Sequence, residues 1–249
     1  MKTVLITGCS SGFGLEIARH FLDRGWRVIA TMRTPREDIL PVSEHLRVLA
    51  LDVTDAKSIQ RAVEAAGPID VLVNNAGFGA AAPIESMPLA TMRELFETNT
   101  FGTMALTQAV LPQFRQRKAG VVINVTSSVT FKALPLVGVY RASKAAVNAF
   151  TESLAAEVEQ FGIRVRLVLP GRAPETRFGD NAQPHTAGID HEAYAELVKN
   201  LFATFAENVG PITHSEDVAR AVWRAATDPD SPMHIPAGED AEAWAAEQR

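Results

Sequence analysis

Tyr140 and Lys144 stand four residues apart at the start of a helix-like run that extends to Phe161. At that spacing they project from one helix face, about one turn apart. An ammonium beside a phenol favours the phenolate and draws its pKa down from about 10. A tyrosine tuned in this way can exchange a proton with a substrate oxygen. Ser127, just past the apolar run Val121–Val125, offers a hydroxyl that could hold that oxygen. Tyrosine and lysine at helical spacing also decorate ordinary solvated faces, so the pair gains weight only from what accompanies it.

A glycine-rich turn accompanies it: Thr7-Gly8-Cys9-Ser10-Ser11-Gly12-Phe13-Gly14, between the first apolar run and the first amphipathic one. Glycines let the backbone bend sharply and approach a pyrophosphate, which then sits at a positive helix N-terminus. A tight turn with no ligand is the plainer reading. The second apolar run ends Ala30-Thr31-Met32-Arg33, with no carboxylate to bond a ribose 2′-hydroxyl. Arg33 instead places a guanidinium where a 2′-phosphate would take a charge-assisted, two-pronged bond. The nucleotide expected is therefore NADP(H), against the alternative of a solvated arginine like Arg36 nearby. Asp52, in Leu51-Asp52-Val53, either accepts from an adenine amino group or caps the coming helix. Asn74-Asn75-Ala76-Gly77 follows the fourth run, either as simple turn chemistry or at the sheet edge where a ligand lies.

These residues need a scaffold, and the hydrophobic pattern supplies one. Apolar, β-branched runs at Lys2–Thr7, Arg27–Met32, Arg47–Leu51, Asp70–Val73, Val121–Val125, Ile163–Leu169 and, more weakly, Met233–Ile235 alternate with amphipathic segments. Runs that are apolar along their whole length suit strands buried on both faces. The expected fold is α/β: a single doubly wound, Rossmann-type domain over 1–249, with a parallel sheet of about seven strands and helices on both faces. Leu15, Ala18, Phe21 and Leu22 give the first helix its buried stripe, Gly25 stops it, and Asp55 is the expected N-cap of the helix after the third strand. The stretch from about 171 to 213 is irregular and reads as a lid. Within it Tyr194, Leu197, Val198, Leu201, Phe202, Phe205 and Val209 fall three or four apart on one face.

Taken in order and spacing, from Met1 to about Gly171, these motifs resemble the short-chain dehydrogenase/reductase family, most of all its hydroxysteroid- and retinol-dehydrogenase-like branch. The resemblance implies a catalytic tetrad of Asn99, Ser127, Tyr140 and Lys144. In it Ser127 positions the substrate oxygen, Tyr140 transfers the proton, Lys144 binds the nicotinamide ribose and lowers the tyrosine pKa, and Asn99 holds a water of the proton relay. The family's thirteen-residue serine-to-tyrosine interval selects Ser127 over Ser128. The implied nucleotide contacts are Gly8, Ser10–Gly14, Arg33, Asp52, Val53, Asn75–Gly77, Tyr140, Lys144 and the Pro170–Gly171 turn, with Ser11, Gly12 and Phe13 inside the glycine segment.

One departure stands out. The family usually places a threonine five residues after the proline of that turn, to contact the nicotinamide carboxamide. Here Glu175 holds the place and Thr176 comes one later, so Thr176 is not part of the expected site. The substrate contacts expected are Ser127, Tyr140, Phe202 and Phe205, which favour a bulky apolar or aromatic ketone or secondary alcohol. Two other readings reuse the same residues: a catalytically silent NADP(H)-binding regulator or scaffold, and a nucleotide-sugar epimerase or dehydratase. The latter resembles a longer branch with a larger C-terminal substrate domain. A net charge of −5 argues against a nucleic-acid partner, and one cysteine, Cys9, excludes an internal disulfide. No metal site and no membrane span is expected. A cytoplasmic protein is the default, and the family resemblance favours a homodimer or homotetramer.

Overall fold

The structure, a computed structural model, describes residues 1–206 and 210–248, apart from the side chains of Glu37, Phe202 and 204–206. Seven strands form one sheet: β1 Thr3–Thr7, β2 Arg27–Met32, β3 Leu46–Ala50, β4 Val71–Asn74, β5 Gly120–Val125, β6 Ile163–Pro170 and β7 His234–Ala237. All neighbouring pairs are parallel, in the order β3-β2-β1-β4-β5-β6-β7. Each expected run is a strand, with no end displaced by more than two residues. Val4 and Ile6 of β1 point to one face and Leu5 to the other, the period-two alternation of a pleated strand.

Helices cover both faces. Helix α1 (Gly12–Leu22) and α8 (Ser215–Thr227) pack Ile17, Phe21, Val218 and Val222 onto the Val4–Ile6 side. Helices α2 (Ala56–Ala66), α4 (Gly102–Arg117) and α5 (Gly138–Val158) bury Ile59, Leu106, Phe114 and Leu154 on the Leu5 side. Within α1 the buried stripe is Ile17, Ala18 and Phe21, with Leu15 and Leu22 half-buried at its edges. The helix closes where Gly25 N and Trp26 N reach back to Leu22 O and Phe21 O, and Asp55 caps α2 by accepting from Lys57 N at 2.9 Å.

Three further elements frame the carboxyl edge of the sheet. Helix α3 (Leu89–Phe96) runs into α4 through a π-helical turn, Glu97–Phe101, which no sequence pattern announced. After β6 the chain makes an excursion through α6 (Phe178–Ala182) and α7 (Ala195–Ala206) before α8. Helix α9 (Glu239–Ala246) follows β7. Among the described residues no helix is long and apolar enough to cross a membrane.

A buried polar chain locks the sheet to α4 and α5. Asn74 Nδ2 donates to Thr107 Oγ1 (2.9 Å) and to Asn124 Oδ1 (2.8 Å), and Asn124 Nδ2 donates to Thr151 Oγ1 (2.8 Å). Asn124, Thr107 and Thr151 are fully buried, so each bond is made without competition from water. Replacing Asn124 with alanine deletes two of these bonds and opens a void. A loss of about 2–3 kcal/mol in urea-unfolding stability is expected; a change under ~0.5 kcal/mol would show that the chain does not hold the sheet.

Candidate active site

The strand order reverses between β1 and β4, so the chains leaving those strands diverge and open a crevice at their carboxyl ends. The glycine turn leaves β1 and Asn75–Gly77 leave β4, one on each side of it. Thr7 stitches the two: its Oγ1 accepts from Asn75 N (2.9 Å) and Ala76 N (2.8 Å), while Asn75 Nδ2 donates to Thr7 O (2.9 Å). Gly14 lets the first turn of α1 close onto β1, since a Cβ there would stand 2.3 Å from Gly8 O. Cys9, fully buried, has its thiol pushed up to about 12 by that burial and is inert packing.

The crevice is a cavity of about 880 Å³. Gly8, Ser10–Phe13 and Asn75–Gly77 line its middle. Met32, Arg33, Arg36, Asp52, Val53 and Thr54 line one end, and Phe78, Val125, Thr126, Tyr140 and Lys144 the other. The middle fits an anion. Ser11 is the N-cap of α1 but its side chain makes no capping bond, so the positive end of the helix faces the cavity with donors unspent. Asp52 does not cap α2. Its Oδ1 accepts from Thr54 N (2.9 Å) and Thr54 Oγ1 (2.7 Å), and the Thr54 N–H above all holds the carboxyl below its ordinary range.

At the far end Tyr140 and Lys144 lie on the buried face of α5, 9% and 6% exposed. Lys144 Nζ donates to Val125 O at 3.2 Å. Burial draws the lysine down to about 8 and pushes the tyrosine up to about 12, with the Ser127 hydroxyl, hydrogen-bonded to the phenol, pulling the other way. The expected lowering of the tyrosine by its lysine is therefore corrected: desolvation drives both groups towards their neutral forms. Ser127 Oγ also accepts from Val129 N (3.2 Å).

Asn99 sits in the π turn, 1% exposed, and its amide is committed within the protein: Oδ1 accepts from Phe78 N (3.0 Å), Nδ2 donates to Phe78 O (2.9 Å) and to Ser143 Oγ (3.1 Å). It braces the Gly77–Phe78 loop against α5. Gly14, Asn99 and Pro170 are buried outside the cavity lining, while Ser127 and Gly171, half-buried, flank it without lining it. Gly171 N donates to Thr213 Oγ1 (2.9 Å).

The roof differs from expectation. Thr176, Arg177, Phe178, Asn181, Pro184 and His185 line the cavity from above. Thr176 lies beside Gly12, 3.5 Å from where a Cβ would be. The Phe178 ring lies 5.7 Å from the Tyr140 ring, tilted 59°, and His185 stacks on Phe78 at 4.2 Å. The lid is held to the opposite wall where His185 Nδ1 meets Glu94 (3.4 Å), His191 Nε2 meets Glu85 (3.3 Å) and Ser86 Oγ donates to Gly188 O (2.7 Å). Phe202 and Phe205, expected to contact substrate, have side chains outside the described residues, and Val209 lies outside them altogether. The rest of that stripe does not line the cavity: Leu197 is 39% exposed, and Tyr194 donates to Glu85 Oε2 (3.0 Å). The chain reaches the cavity earlier, through α6, and α7 follows on the outside. A lone phenylalanine in a polar stretch, Phe178, was the available signal.

The short chain dehydrogenase family profile matches residues 2–186. Retinol dehydrogenase 8 of Bos taurus is 40% identical over 244 residues, covering 89% of this chain and 76% of its own. A short-chain dehydrogenase from Streptomyces avermitilis superposes with a TM-score of 0.84 at 32% identity, over 99% of this chain and 91% of that one. A serine dehydrogenase complexed with NADP+ superposes at 0.81 and 28% identity, over 96% and 95%.

The upward direction at Tyr140 is open to direct measurement. The chain has two tyrosines, so Tyr194→Phe leaves Tyr140 alone. Its phenolate absorbance is expected to be small at pH 10, the ordinary midpoint, and to grow only towards about 12. A midpoint at or below 10 would show Lys144 outweighing burial.

Proposed function

The chain belongs to the short-chain dehydrogenase family, and on that premise we propose that it interconverts a bulky apolar or aromatic ketone and its secondary alcohol with NADP(H). The observation that carries this reading is a buried, protonated Tyr140, hydrogen-bonded to Ser127 with Lys144 one turn away, at the end of a nucleotide-sized cleft. A scaffold that only bound nucleotide would need the glycine turn but not this group.

The residues fit the nucleotide in three places. The uncapped start of α1, with Ser10–Gly12, would hold the pyrophosphate. Arg33, with Arg36 beside it, would take the 2′-phosphate, while Asp52 and Val53 would flank the adenine. Asn75–Gly77 and Lys144 would border the nicotinamide riboside. When bound, the nicotinamide supplies the hydride. The protein's own residues manage the oxygen: Ser127 orients the carbonyl oxygen beside the phenol, and Tyr140 passes its proton as negative charge develops there. Lys144, still largely protonated at neutral pH with a pKa of about 8, offsets the charge left on the phenolate. Phe178 roofs the reacting end with an apolar face, and together with Phe78 it favours a flat or bulky hydrocarbon. The NADP+ complex of the serine dehydrogenase supports the nucleotide, and the name retinol dehydrogenase supports an apolar alcohol.

NADPH absorbance with a panel of ketones tests the reaction. Aryl and polycyclic ketones are expected to give higher kcat/KM than sugars or hydroxy acids. Tyr140→Phe keeps the ring but loses the proton, and should cost about 10²–10⁴ in rate with NADPH affinity nearly unchanged. Near-normal turnover in that variant would remove the mechanism. Nucleotide choice has its own test. Arg33→Ala is expected to weaken NADPH by about ten- to a hundredfold, the value of a hydrogen bond to a charged group, and to leave NADH almost untouched. Equal losses for both would show that Arg33 does not read the 2′-phosphate.

A further inference from the structure

The excursion between β6 and α8 leaves and re-enters the body at one buried point, built from residues outside the cavity. Arg172, on the outgoing leg, and Thr213, on the returning leg, are joined by Thr213 N donating to Arg172 O (2.8 Å). Asp240, in the first turn of α9 and 5% exposed, grips both. Its Oδ2 accepts from Arg172 N at 2.6 Å and its Oδ1 from Thr213 Oγ1 at 2.7 Å. Ala237 O is also within reach of that hydroxyl (2.8 Å), but its single proton goes to the carboxylate, the stronger acceptor. The same Thr213 oxygen accepts from Gly171 N at 2.9 Å. The packing leaves no slack: a Cβ on Gly171 would stand 2.1 Å from Asp240 Oδ1. One rung further out, His214 Nδ1 meets Glu175 Oε2 at 3.0 Å, again joining the two legs.

We propose that Asp240 and Thr213 are positioning residues, a hinge clamp that fixes the base of the lid and so holds Thr176 and Phe178 over the cleft. The proposal deepens the reductase reading and rests on it for the meaning of closure, but not for the clamp itself. A buried carboxyl group with both oxygens committed to opposite legs is not there for packing, since an apolar side chain would fill the same space at lower cost. Its geometry specifies an angle of departure. Backbone N–H donors on the outgoing leg and a hydroxyl on the returning leg leave each leg one orientation in which all bonds are made. Glu175, which occupies the family's threonine position, then serves as the outer rung, and Thr176 is carried to Gly12.

Limited trypsinolysis reads the clamp without any turnover. Arg177 lies exposed in the lid and Arg61 exposed on α2, in the body. In Asp240→Asn and in Thr213→Val, cleavage after Arg177 is expected to quicken about fivefold, the ratio matching about one hydrogen bond, with cleavage after Arg61 unchanged. Thr213→Ser keeps the hydroxyl and should restore the wild-type rate. In the activity arm KM for the ketone is expected to rise more than kcat falls. An unchanged rate at Arg177, or acceleration matched at Arg61 and by an equal fall in Tm, would overturn the proposal. Should Asp240→Asn not fold, the near-isosteric Thr213→Val and its serine rescue decide the matter. Absence of any ketone reduction by the wild type would sink the reductase reading alone, because the cleavage comparison stands without it.

Discussion

Seven strands that all run the same way must deliver their carboxyl ends to one edge of the sheet, and most of what this protein places there follows from that constraint. The reversal of strand order between β1 and β4 parts the two loops that leave them. What keeps the parted loops in register is Thr7, whose hydroxyl takes the first two amides beyond β4. Behind them, the amide chain from Asn74 through Asn124 to Thr151 fixes β4 and β5 against α5. Helix α5 carries Tyr140 and Lys144, so the chain runs unbroken from sheet register to the position of the phenol. A slip of one residue between β4 and β5 would turn the buried amides towards the opposite face and break every link in it.

Much of this was legible in the residues. Strands buried on both faces must be apolar along their length, so their runs stood out, and the glycine turn gained its meaning from standing between the first of them and an amphipathic helix. The elements that were not legible depend on tertiary contact. The π turn at Glu97–Phe101 widens a helix by one residue, and within it Asn99 reaches across to Phe78 and Ser143, contacts between segments distant in sequence. The apolar spacing in 194–209 showed that α7 has an apolar face without showing what that face meets. Only the path of the lid decides that Phe178 reaches the cleft. The direction of the Tyr140 shift was likewise hidden, because spacing reveals a neighbouring charge but not how much water both groups have lost.

That loss of water shapes the chemistry on the reductase reading. With the phenol raised to about 12 and the ammonium lowered to about 8, the pair at neutral pH holds a loaded proton donor beside a cation. Such a pair suits the reduction of a carbonyl, since the proton is already on Tyr140 and the charge it leaves behind is met by Lys144. Alcohol oxidation asks the reverse, a phenolate ready to accept, a state that burial disfavours. The same burial ties chemistry to the lid. Phe178 is part of the wall that keeps water from the phenol, and Phe178 is held by a segment whose departure from the body is set at Arg172 and Thr213. A lid that swung outward would rehydrate Tyr140, bring its pKa back towards that of an ordinary phenol and weaken every charge interaction in the cleft. On that reading, substrate enclosure and proton supply are two consequences of one closed geometry.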